Sequence, residues 1–390
     1  MDIYLISVIA FFVVIAGIIY KYRKRIDIKY YILFMFRTKK FSQMIDNIAK
    51  KSPKFWKVVS TIAILVCFYY MIQGVYLLLV SSQAIFTGEF TKPGLQLVLP
   101  SPTATASSGP GYMLIPFWFW IITIACILVP HELSHGIIAR AEKIKLKSVG
   151  LLLFAVFPGA FVEPDEKQLK KSKTLTRLRV FAAGSGANFL VAALILLSVS
   201  YIIWPAGTAT GITLLAVNQS SPADLAGLQP NMTIYQVNNQ PIKTTYQEYL
   251  AGNGYLTDEL GSTKVGQTIT FTTDTQTYNV TLTEFKGKPF MGIIYKPVFR
   301  TDVDFFLGVL IPLLTMIWLF SFAVGLFNIL PLYPLDGGLM MEAVTDKYLK
   351  KKSKLAIKII SIVILIIILY NFFGPLLMTT IHNFLGPAIV

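Results

Sequence analysis

Six stretches of this chain stay apolar for 18 to 27 residues each: Ile3 to Tyr20, Val58 to Val80, Met113 to Ala139, Val180 to Trp204, Phe305 to Leu330 and Leu355 to about Phe373. A helix of about 20 apolar residues crosses the roughly 30 Å hydrocarbon layer of a bilayer, and a soluble core needs no runs of that length. Within lipid every backbone polar group must find a partner in its own segment, which leaves helices as the reading for such runs. The chain is therefore predicted to be a membrane protein, mainly α, with about six transmembrane helices. The composition agrees, with 54% hydrophobic and 14% charged residues against roughly 45–50% and 25% in soluble domains. Disorder and small disulfide scaffolds are excluded. Cys67 and Cys126 both lie inside apolar runs and read as small buried hydrophobes.

Two pieces are shorter or less regular. Gly150 to Val162, with Pro158-Gly159 inside it, is too short to span and reads as a re-entrant or interfacial segment. Residues Gly374 to Val390 either extend the last helix or lie on the surface, and the connector 81–112, rich in Ser, Thr, Pro and Gly, reads as irregular.

The formal net charge of +15 would suggest nucleic acid in a soluble chain. Here it is explained by loops. Of 35 Lys and Arg, 12 fall between Lys21 and Lys57, 4 between Arg140 and Lys147, 6 between Glu163 and Arg179, and 6 between Glu342 and Lys358. Loops kept inside are enriched in these residues, and all four share a face if the N-terminus starts outside and six spans alternate. No nucleic-acid partner is expected. Positive charges follow the first apolar run and do not precede it, so that run reads as an N-out anchor, unlike a cleaved signal peptide.

The third run carries His131-Glu132-Leu133-Ser134-His135, two of the three histidines in the chain. Imidazoles at i and i+4 share one helix face and can reach one ion, with Glu132 beside them to hold a water. An ionisable cluster at membrane depth is costly and points to function; the plainer alternative is a polar pair satisfied within a helical bundle. Catalytic zinc takes three protein ligands and leaves one position open. The candidate for the third is Asp336, in Asn328-Ile329-Leu330-Pro331-Leu332-Tyr333-Pro334-Leu335-Asp336-Gly337-Gly338. The two prolines break the helical ladder and the glycines let the backbone turn, so Asp336 is expected on an irregular buried segment.

Asn-x-x-Pro-x-x-Pro-Leu-Asp-Gly-Gly about two spans after His-Glu-x-x-His resembles the site-2 protease family, membrane-embedded zinc metalloproteases of the M50 type. The likeness runs from about residue 113 to 345. It includes Gly159 to Pro164 and Ala183 to Asn188, where the family often has Gly-Pro in place of Gly184-Ser185. The resemblance implies an intramembrane zinc endopeptidase with one Zn2+ per chain on His131, His135 and Asp336, Glu132 as general base and Asn188 as support for the transition state. An interhelical hydrogen bond is the alternative role for Asn188. The implied substrates are transmembrane proteins, whether or not another protease has already trimmed them. The site is expected towards the cytoplasmic side, and Gly150 to Glu163 is the candidate to hold an unwound substrate by strand pairing.

Residues 207–298 change in character, with short alternating runs in place of long apolar ones. Ile212 to Val217, Thr233 to Val237, Thr268 to Thr272 and Tyr278 to Leu282 read as strands, Ser221 to Leu228 as a short capped helix, and Tyr246 to Ala251 as another. Ser221-Pro222-Ala223 through Asn239 resembles a PDZ domain of the protease-associated kind, with Pro230-Asn231-Met232 where Gly-Asp is usual. The implied organisation is 1–112, N-terminal helices with a basic loop and an external connector; 113–206, the first part of the protease core; 207–298, an inserted soluble β-rich PDZ-like domain on the extracytoplasmic side; 299–346, the second part of the core; and 347–390, a last helix and tail. Two competing readings are another membrane His-Glu-x-x-His protease, disfavoured by Asp336-Gly337-Gly338, and an inactive receptor or scaffold, disfavoured by the intact cluster.

Overall fold

The structure, a computed structural model, describes residues 3–29, 32–90, 95–109, 111–154, 157–203, 208–245, 263–299 and 309–385. In chain order the elements are α1 (Ile3–Tyr22), β1 (Ile26–Lys29), β2 (Leu33–Arg37), α2 (Lys39–Lys51), α3 (Pro53–Phe86), β3 (Leu97–Ser101), β4 (Ser107–Gly109), β5 (Tyr112–Pro116), α4 (Phe117–Ala141), β6 (Leu146–Phe154), β7 (Phe157–Pro164), α5 (Glu166–Lys171) and α6 (Thr174–Ser198). There follow β8 (Thr208–Val217), α7 (Pro222–Leu225), β9 (Thr233–Ile234), β10 (Gln236–Val237), β11 (Gln240–Pro241), β12 (Thr244–Thr245), β13 (Thr268–Thr272), β14 (Thr277–Thr281), β15 (Thr283–Phe285), β16 (Lys288–Phe290) and β17 (Ile293–Phe299). The chain ends in α8 (Ile311–Asn328), α9 (Asp336–Leu349) and α10 (Ser353–Leu385). Two compact units result, Met1–Ala193 with Met316–Val390, and Leu194–Thr315.

Six helical stretches are long and apolar enough to cross a membrane: α1, α3, α4, α6 with its extension to Tyr201, α8, and the stretch Asp336–Met378 formed by α9 and α10. Their outer faces keep large apolar side chains exposed, as at Ile3 and Val13 of α1, which lipid covers and water would not. The third span begins at Phe117 and not at Met113, because Tyr112–Pro116 is drawn into a strand. Residues 305–308 of the fifth expected span lie outside the described residues. The last helix continues through Gly374 and Pro375 to Leu385.

In the first unit α3, α6 and α9 meet in a core of Ile64, Cys67, Met71, Ala182, Phe189, Ile329 and Met340. Tyr70 stacks on Phe189 at 4.4 Å between ring centroids. In lipid such contacts act through close packing, since apolar tails give no hydrophobic drive between helices. Asn371 of α10 adds a polar tie, donating to Leu78 O at 3.1 Å and Ser82 Oγ at 2.8 Å on α3.

The segment expected to be re-entrant or interfacial is a β-hairpin. β6 and β7 pair antiparallel and extend the sheet β1-β2-β6-β7, with β7 at its edge. Residues 155 and 156 lie outside the described residues. Its partners come from the basic stretch after α1, which is folded: Phe34, Met35 and Phe36 pair with Leu153, Leu152 and Leu151, and α2 buries Ile45 and Ala49 against Ile137 and Ala141 of α4. A Cβ at Gly136 would stand 3.0 Å from Ile45 Cδ1 and 3.1 Å from Val162 Cγ1, so α4 passes tightly between α2 and β7. The connector 81–112 is likewise not irregular throughout, since β3, β5 and β4 form a small sheet. Its strands pair residues remote in sequence, a source of order that local turn composition does not report.

Ion pairs link the four basic loops in series. Arg140 meets Asp46, Arg179 Nη1 lies 2.7 Å from Glu142 Oε1, Lys57 Nζ lies 3.6 Å from Glu142 Oε2, and Arg177 Nη1 lies 2.7 Å from Asp346 Oδ2.

In the second unit, β11-β10-β13-β14 and β12-β8-β17 form two sheets around Ile212, Leu214, Leu228, Ile234, Val237, Ile269, Phe271 and Val280. Ser221 caps α7 by accepting from Asp224 N, and Gly227 stops it at φ +90°. Asn231 takes φ +70°, a conformation Asn tolerates better than most residues, and its N–H reaches Leu214 O at 2.8 Å. The expected strand Thr233 to Val237 is split into β9 and β10, and β15, β16 and β17 add to the strands expected. The helix expected at Tyr246 to Ala251 lies outside the described residues.

Candidate metal centre

His131 and His135 stand one turn apart on α4, directly after Pro130, which removes one hydrogen bond from the helical ladder. Their Nε2 atoms are 3.3 Å apart. Asp336 was expected on an irregular segment. The irregular stretch ends at Leu335, whose extended backbone caps α9, and Asp336 is that helix's first residue. The close turn needs both glycines: a Cβ at Gly337 would overlap Ile329 O, and one at Gly338 would stand 2.5 Å from Leu332 C.

This turn brings the carboxylate to the imidazoles. Asp336 Oδ1 is 3.3 Å from His135 Nε2 and Oδ2 is 3.5 Å from His131 Nε2; one ligand atom from each residue can be chosen so that all lie within 4.8 Å. Ligands held about 2.0–2.1 Å from a tetrahedral zinc stand about 3.3–3.4 Å from one another. The two Nε2 atoms stand at that spacing, and the Asp336 carboxylate lies close enough for the three side chains to share one ion.

The groups that hold these ligands come from one face of α6, at Val180, Gly184, Ser185 and Asn188, a spacing of four, five and eight residues. His135 Nδ1 donates to Val180 O at 2.7 Å, which leaves Nε2 bare to bind metal, the usual outer support of a histidine ligand. Ser185 Oγ donates to Asp336 Oδ2 at 3.0 Å. A Cβ at Gly184 would stand 2.6 Å from His131 Nε2 and overlap His135 Nε2, so only glycine leaves room for the cluster.

Asn188 is fully buried, and its amide nitrogen lies 3.2 Å from His131 Nδ1 while its oxygen has no partner. The two ends of an amide are interchangeable in assignment. With the oxygen turned to His131, Nδ1–H donates to it and Nε2 is free for a metal. The contact between α6 and α4 is thus the interhelical bond weighed as the alternative role for this residue.

Glu132 faces the same cavity of about 390 Å³ as His131, His135 and Asp336, and its Oε2 accepts from the backbone N–H of Val162 on the edge strand β7 at 3.1 Å. Glu166, Lys170, Arg177 and Glu342 also line this cavity, giving water a polar approach. Three contributors carried no assigned role in the sequence: the Val180 carbonyl, the Ser185 hydroxyl and the Arg177 pair with α9. The signal for Ser185 was present, as a hydroxyl on the Asn188 face of an apolar helix; a backbone carbonyl leaves none.

The family description "Peptidase family M50" matches residues 119–371. An uncharacterised protein of Methanocaldococcus jannaschii is 28% identical over 361 residues, 89% of this chain and 87% of its own length. A membrane-bound transcription factor site-2 protease homologue of Arabidopsis thaliana is 32% identical over 95 residues, 24% of this chain and 17% of the plant protein.

Proposed function

The chain belongs to peptidase family M50, and on that premise we propose that this multi-pass membrane protein is an intramembrane zinc endopeptidase. It hydrolyses peptide bonds within or near transmembrane segments of membrane-protein substrates. The observation that carries this reading is the convergence of ligand atoms of His131, His135 and Asp336 within 4.8 Å of one another, with Glu132 on the same cavity.

His131, His135 and Asp336 would hold one zinc ion per chain. Bound there, zinc supplies a Lewis acid for the scissile carbonyl and a water acidified to a pKa of about 7. Glu132 takes a proton from the attacking water and passes it to the leaving amine. Its carboxylate lines the cavity and is held at the edge of β7 by Val162 N–H. Asn188 either holds His131 in its ligating tautomer or turns its amide towards a developing oxyanion.

A substrate helix hides its peptide groups in its own hydrogen bonds. β7 ends the sheet β1-β2-β6-β7, and an unwound substrate added to that edge would run past Glu132. The β-rich second unit is read as a PDZ-like domain that recognises or filters substrates. The ion pairs joining the basic loops support a single cytoplasmic face for them, with the catalytic site near it.

The test uses the full chain in detergent with a model single-span substrate. Wild type and Glu132→Gln are expected to carry about one zinc each, with cleavage by the wild type alone. Equal cleavage by both would remove Glu132 as the base, and absence of zinc from both would end the metallopeptidase reading.

A further inference from the structure

Some serines on the spanning helices of this protein spend their hydroxyls on their own helix. Ser82 donates to Leu78 O at 2.7 Å and Ser198 to Leu194 O at 2.7 Å, each four residues back on its own helix. Ser185 does otherwise. It is fully buried in the middle of α6, and its hydroxyl donates across to Asp336 Oδ2 on α9 at 3.0 Å.

Asp336 needs such a partner. Rotation of a carboxylate about its Cβ–Cγ bond is broad and nearly free of intrinsic preference. Its neighbours Gly337 and Gly338 offer no side chain, and the capping residue Leu335 makes no side-chain cap bond. Among the described residues, Ser185 is the side-chain donor that reaches this carboxylate apart from the two imidazoles. With Oδ2 engaged by the hydroxyl, Oδ1 stays 3.3 Å from His135 Nε2.

We propose that Ser185 is a positioning residue that fixes the rotation of the Asp336 carboxylate and so sets how tightly His131, His135 and Asp336 hold a divalent metal ion. The inference rests on the metallopeptidase reading above. It assigns to α6 a side chain for the acidic ligand, beside the carbonyl and amide that serve the imidazoles.

The experiment measures zinc affinity of the full chain in detergent by competition with a chelator, together with the visible absorption of the cobalt(II)-substituted protein. Outer-shell partners of metal ligands contribute about 10–100-fold to affinity. Ser185→Ala is expected to bind zinc about tenfold more weakly and to change the cobalt spectrum, while the zinc-free chain stays folded with its thermal midpoint lowered by only a few degrees. In an Asp336→Ala background, the same change should leave the residual affinity unaltered, because the hydroxyl then has no carboxylate to hold. Unchanged affinity and spectrum in Ser185→Ala would overturn the proposal. So would an equal loss in both backgrounds, which would make the hydroxyl a packing element of α6. A wild-type chain that binds no zinc would instead overturn the metallopeptidase reading itself, and the two failures are therefore distinguishable.

Discussion

On one side of α6, Arg177, Val180 and Phe181 border a cavity of about 390 Å³ shared with His131, Glu132, His135 and Asp336. On another side, Gly186, Ala187, Leu190 and Ala193 border a cavity of about 360 Å³ shared with Ala63, Tyr70 and Ile137. The volumes are close, so space alone does not mark the reactive site. Around the first cavity His131, His135, Asp336 and Glu342 each meet a group on α6, and near it Arg177 Nε and one end of the Asn188 amide have no partner. Unpaired buried polar atoms are costly and persist where a function or a further ligand accounts for them. The second cavity is apolar over nearly its whole wall and suits lipid chains or emptiness.

The strongest way to break this contrast is to make the ligand face of α6 as bulky as any other. Gly184→Ala puts a methyl group against both imidazole Nε2 atoms. It should cut zinc affinity by about 100-fold, the upper end for outer-shell changes, and abolish cleavage, although alanine favours the helix over glycine. Retention of zinc in an otherwise folded Gly184→Ala chain, measured by metal analysis after dialysis, would show that the ligands meet elsewhere.

A smaller effect is expected at Asn188. If the amide serves His131, Asn188→Ala lowers zinc affinity about tenfold and turnover falls with metal occupancy. Saturating zinc should then restore much of the rate. A rate lowered by about 10²–10³ at full occupancy would instead assign the amide to the oxyanion, and metal titration against turnover separates the two.

The contrast also explains what the sequence made legible. Long apolar runs are local signals, and the helices they predict are present. His131 and His135 lie on one helix turn, so their spacing alone points to a shared ion. Asp336 was reachable because Pro331, Pro334 and the glycine pair mark an exceptional turn. The sheet β1-β2-β6-β7 was not, since it joins residues 26–37 to residues 146–164 and its pairing partners are distant in sequence. Residues 21–57 read as a charged loop because basic residues there mask the short strands Ile26–Lys29 and Leu33–Arg37. The role of α6 was hidden for another reason: Val180 acts through its carbonyl and Gly184 through a missing atom, neither of which a side-chain pattern records.

The least effect should come from the apolar cavity, and it sharpens the contrast by its smallness. Ala187 lines that cavity beside Leu190 and Phe189, one residue before Asn188, on the side of α6 turned from the ligands. Ala187→Leu adds apolar volume to a space that can accept it. Overpacking a core costs about 1–3 kcal/mol, whereas filling an existing void can offset that cost. Zinc affinity and cleavage rate are expected within about twofold of wild type, since a shift under 0.5 kcal/mol is common for sites that share no partners, and the thermal midpoint should move by only a few degrees. A large loss of zinc from Ala187→Leu would mean that α6 transmits pressure from one wall to the other. The ligand face would then owe its geometry to the packing behind it as much as to the hydrogen bonds in front.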